Sequence, residues 1–123
     1  MKLIKFVITL AVLFAASQVN AAEVRHYKGE DVNTVEEAIK VLQTYNSQLE
    51  ALLKAEELKP QDMAKIHQMT YSMENALKIL EGHLNITQRN LEELHLSSER
   101  MEMDKAKVYG QLYLDGVSFY TEQ

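Results

Sequence analysis

Apolar residues recur along this chain at steps of three and four, not two. Val35, Ala38, Ile39, Leu42, Tyr45, Leu49, Leu52 and Leu53 trace one face of a helix. The run opens on Thr34-Val35-Glu36-Glu37, a capping-box pattern in which the threonine oxygen and the glutamate satisfy free amides at a helix start. Pro60, the only proline, closes this first helix, predicted over 34–58. A proline is tolerated in a first helical turn, and Asp62 places negative charge near the free amides, so a second helix starts at 60. The spacing thus predicts two antiparallel helices joined by a tight turn.

From there a heptad pattern runs without a stutter. Met63, Thr70, Leu77, Leu84 and Leu91 hold one seam position, and Ile66, Met73, Leu80, Thr87 and Leu94 the other. The unbroken phase predicts a single helix over 60–97. The alternative is a break in "EGHLNITQ", with Gly82 capping one helix and Asn85 to Gln88 opening another, which would make a four-helix up-down bundle. Asp104 can cap a last helix over 104–120 whose apolar side carries Ala106, Val108, Tyr109, Leu112, Tyr113, Val117 and Tyr120. Gly110 and Gly116 inside it weaken the helix or permit close approach. No alternation long enough for a sheet occurs, so the expected fold is all-α: an antiparallel bundle of three helices with a long central one, in a single domain over 34–123.

Length adds a constraint. A central helix of about 36 residues spans ~54 Å, and a first helix of about 24 covers only ~36 Å of it. The third must fold back over the far half, leaving apolar surface that a homodimer would cover. Asn46 and Thr70 fall at seam positions, where polar side chains can set register or partner choice. If both are buried they can bond across the hairpin; if the helix is rotated, Asn46 meets water.

The first residues, "MKLIKFVITLAVLFAASQVNAAEV", combine a basic start, an apolar run of about 11 residues and a small-residue cleavage site. They read as a signal peptide over 1–21, too short to span a bilayer, followed by an extended lead-in over 22–33. Cleavage after Ala21 leaves 102 residues for the periplasm, with no stable membrane insertion expected. The chain has no cysteine, which removes disulfides, thiolate metal sites and covalent haem attachment. Without Lys2 and Lys5, 11 basic residues face 18 acidic ones, a charge of -7 that repels phosphate backbones and disfavours nucleic acid.

Candidate chemistry is sparse. His67, His83 and His95 are ~24 and ~18 Å apart along one helix and cannot share a metal within it. Glu92-x-x-His95 is half of a di-iron bundle signature, and its second half is absent. Met69 and Met73 form an i, i+4 pair of thioethers suited to copper(I), with His67 on the opposite flank of the seam. Methionine as irregular core filler explains the same residues. His67, Met69, Met73 and His95 are therefore the candidate metal ligands, set against a packing role. There is no phosphate loop, nucleophile elbow or His-Glu-x-x-His motif, and the paired acids sit on solvated faces, so no catalytic or cofactor-binding residue is assigned and no enzyme is expected.

The chain is distantly similar to soluble b-type cytochrome bundles in size and helicity. That resemblance implies a methionine at the start of the first helix and a histidine in the last; neither is present. The runs "HYKGE", "TVEEAIKVLQTYNSQL", "DMAKIHQMTYSMENAL" and "LEELHLSSER" resemble a family of small secreted proteins of γ-proteobacteria known only as a domain of unknown function. The resemblance implies a secreted helical protein and supplies no activity. The expectation is a periplasmic bundle acting by protein interaction or envelope support, with a copper or haem carrier as the alternative.

Overall fold

The computed structural model describes residues 27–122. The signal peptide expected over 1–21 and the first part of the lead-in lie outside these residues. Three helices follow: α1 (Val35–Leu53), α2 (Pro60–Glu99) and α3 (Met103–Thr121), with no strand among the described residues. The fold is all-α, as the spacing predicts. α2 passes through Gly82 without a break, which removes the four-helix alternative. Gly82 faces open space, so nothing in the packing bends the chain there, and one interior glycine costs only about 1 kcal/mol.

α1 starts where the capping box places it. Thr34 Oγ1 accepts from the Glu37 amide at 3.1 Å, and Glu37 Oε2 accepts from the amides of Thr34 and Asn33 at 3.3 and 2.8 Å. It ends at Leu53, short of the predicted 58, and residues 54–59 form a longer reversal instead of a tight turn. Lys59 precedes a proline, which excludes it from the helical region; its backbone is extended at φ -92°, ψ 160°. Its amide donates to Asp62 Oδ2 at 3.0 Å, fixing the start of α2. The far end of α2 closes in a Schellman geometry: the Glu102 amide donates to Ser97 O at 2.9 Å and the Met101 amide to Ser98 O at 3.3 Å. Met101 takes the left-handed conformation, φ 57°, at the position glycine usually fills.

α1 and α3 lie end to end along α2. Each is 19 residues long against 40 for α2, hence ~28 Å apiece along ~60 Å. α2 packs on both, and the two flanking helices scarcely touch. On the α3 side Gly110 lies against Leu94 and Gly116 against Thr87, while Tyr120 reaches His83. Those pairs run in opposite chain directions, so α3 is antiparallel to the second half of α2.

The seam of α2 differs from the predicted one. Ile66, Met73, Leu80, Thr87 and Leu94 do turn inward, buried or half-buried. The second inward line is Met69, Ala76, His83, Asn90 and Ser97, with Ser72 beside it. Leu77, Leu84, Leu91 and Met63, predicted to share the seam, are 54, 48, 44 and 54% exposed. The cause is backbone proximity. Ala76, Thr87 and Ser97 are small enough to be buried under a neighbouring helix, Ser72 is buried under the residues ahead of α1, and a β-carbon on Gly116 would meet Thr87 Cγ2 at 3.2 Å. Helices at that distance seat small residues between them and leave leucines outside.

Candidate functional site

The residues ahead of α1 form a strap across α2. Gly29 has φ 74°, and a β-carbon there would lie 2.8 Å from the Ser72 nitrogen and the Tyr71 carbonyl carbon, so only glycine fits. The Glu30 amide donates to Ser72 Oγ at 3.0 Å, and Asn75 Nδ2 donates to the carbonyls of Lys28 and Glu30 at 3.1 and 2.9 Å. The Tyr45 hydroxyl donates to Glu30 Oε1 at 2.5 Å. That bond to a carboxylate holds the Tyr45 phenol above its ordinary pKa. Four hydrogen bonds from three side chains therefore tie the segment expected as an extended lead-in to both α1 and α2.

Beside the strap a groove of about 550 Å³ opens between the end of α1 and the start of α2. Tyr27, Tyr45, Leu52 and Met69 supply its apolar wall, and Lys65 and Gln68 its polar rim. The His67 and Tyr71 rings meet edge to face at 5.1 Å, and Tyr27 lies 6.2 Å from Tyr71.

The candidate ligand residues do not form one group. Met69 is buried and Met73 half-buried, whereas His67 is exposed and 3.4 Å from the Tyr71 hydroxyl. His95 stands ~42 Å further along the same helix, 3.3 Å from Glu99. Among the described residues no three His, Cys, Asp or Glu side chains converge as a metal site. His83 packs on Phe119 at 5.4 Å and its Nδ1 lies 3.1 Å from the Tyr120 hydroxyl, whose pKa is raised by burial.

Asn46 and Thr70 do not meet either. Asn46 is exposed, and the Thr70 hydroxyl donates to the His67 carbonyl at 2.8 Å, within its own helix. The rotation that brings Met69 and Ala76 inward carries the line of Thr70 towards solvent.

What remains is a surface. Leu77, Leu84 and Leu91 form an open apolar stripe on α2 at seven-residue intervals, and Val108, Leu112 and Phe119 leave apolar surface open on α3. Glu74, Glu81, Gln88 and His95, all exposed, follow the same interval along the outer flank of the leucines.

The architecture and this surface define a small all-α protein with an open-faced central helix and no helix, among the described residues, long and apolar enough to cross a membrane. The chain belongs to the family of unknown function DUF6746, whose pattern matches residues 1–122. No curated protein and no solved structure matches it.

Proposed function

We propose that this chain is a periplasmic protein, delivered by a cleaved leader, that acts through protein–protein contact or envelope support and not through catalysis. The observation that carries the reading is the open leucine stripe of Leu77, Leu84 and Leu91 on α2. Apolar surface repeated at heptad spacing along a rigid helix is the form that recognises another helix. The small inward residues Ser72, Ala76, Thr87 and Ser97 support it, because they pack the chain's own helices without using those leucines.

A photo-crosslinking residue at position 84, expressed in the native envelope, tests this. The expected result is a discrete crosslinked species that is lost when the crosslinker moves to the exposed position 89. A stoichiometric metal, a Soret band or substrate turnover in the purified protein would replace this reading with the carrier or enzyme alternative.

A further inference from the structure

We propose that the occupant of the leucine stripe is a second copy of this chain, paired antiparallel about Leu84. This rests on the contact reading above and names its partner.

At any height along α2 only two helices are present, α1 and α2 in one half, α2 and α3 in the other. Two helices enclose no core. Val35, Ala38, Met69 and Ala76 are the buried apolar side chains among the described residues, and none belongs to α3. A dyad through Leu84 changes this. It sets Leu77 level with Leu91 of the copy and brings α1 and α2 of one chain beside α2 and α3 of the other. Each end of the pair becomes a four-helix bundle. The face of α2, ~60 Å long and ~10 Å wide, offers roughly 600 Å². The edges of α1 and α3 add to it, towards the roughly 800 Å² per partner that stable pairs bury.

Charge selects the direction. With residue n facing 168 minus n, Glu74 comes within one residue, ~1.5 Å in height, of His95 of the copy, and Glu81 within one residue of its Gln88. Glu81 then meets no carboxylate, and Glu74 lies one residue in height from His95 and two from Glu92 of the copy. The flanking helices agree: α1 carries three glutamates and one lysine, whereas α3 carries two aspartates and two lysines. Antiparallel pairing sets acidic α1 beside neutral α3, whereas parallel pairing would gather both acidic α1 helices at the same end of the pair.

The chain has no cysteine, so placed thiols report the geometry. The test uses the mature protein carrying Leu77→Cys or Leu91→Cys. An oxidised mixture of the two is expected to yield the mixed disulfide, with little self-crosslinking of either alone. Leu84→Cys crosslinks to itself, and Gly82→Cys, on the far face, does not. Light scattering is expected to give twice the monomer mass at micromolar concentration, and Leu84→Asp to weaken the pair roughly a hundredfold.

Self-crosslinking of Leu77→Cys and Leu91→Cys separately overturns the antiparallel direction. A monomer mass with no crosslink from any of the three leucine positions overturns the pairing. In that case a foreign crosslink at position 84 keeps the contact reading alive, and its absence ends both.

Discussion

The amide of Glu30 donates to the hydroxyl of Ser72 across 42 residues of sequence, and Ser72 is wholly buried where it accepts. Ser72→Ala removes the acceptor and should lower stability by about 1 kcal/mol. Gly29→Ala meets both a left-handed backbone and the α2 main chain, and should cost about 1–3 kcal/mol. Thermal unfolding checks both. Hydrogen exchange should show the loosening at residues 28–33 and leave α3 as it was; equal loosening of α3 would deny the strap a local role.

The phenol of Tyr45 gives a pH dependence. Its pKa in the fold is raised above the ordinary 10.0, first by its hydrogen bond to Glu30, with a smaller opposing contribution from Ser72. A raised acid pKa means that the folded state favours the protonated phenol. Its stabilisation is complete below the ordinary value and is lost as pH rises through the folded one. Tyr45→Phe should therefore cost about 1 kcal/mol at neutral pH, and the difference from the native chain should close above pH 10. A difference that stays constant through the alkaline range would remove the Glu30 bond as its source.

Of the two glycines of α3, Gly116 lies the closer against α2. A β-carbon there would lie within 3.3 Å of Thr87 Cβ and overlap its hydroxyl. Gly116→Ala should lower stability by about 1–3 kcal/mol although alanine is the better helix former. Gly110→Ala meets only Leu94, at 3.7 Å, and should be neutral or stabilising. If denaturant midpoints ranked these two variants the other way, close backbone approach would not explain the buried small residues of α2.

Gly82 has no neighbour that a β-carbon would reach. Gly82→Ala should raise stability by up to about 1 kcal/mol, through helix propensity alone. The midpoint should move with the slope of the transition unchanged. A decrease would reveal a contact at this face that a single chain does not make.

The starts of α1 and α2 could be read in the chain because their chemistry is local: Thr34 and Glu37 are three residues apart, and Pro60 acts on its neighbour Lys59; Asp104, expected to cap α3, lies inside its first turn, with Glu102 at the cap position and no side-chain bond there. The end of α2 offered no such sign, because Met101 fills a left-handed position that glycine normally marks. The seam was half legible. Ile66, Met73, Leu80, Thr87 and Leu94 belong to it, but its other line was read as the leucines, on the rule that apolar residues turn inward. Ala76 and Ser97 hold that place, buried at 0 and 2% exposure, because other segments pack over them, a relation between distant parts of the chain that periodicity within one helix does not contain. The strap was missed for the same reason. Gly29, Glu30 and Asn75 look unremarkable until residues more than 40 apart are adjacent.

Because α1 and α3 scarcely touch, the stretch of α2 around Gly82 is the mechanical coupling between two hairpins in series. Contacts inside each hairpin are short in sequence, the topology that folds fastest. Whether the molecule unfolds in one step or two is then governed by the stiffness of a few residues at its waist. A break there would leave helix content nearly intact and abolish cooperativity.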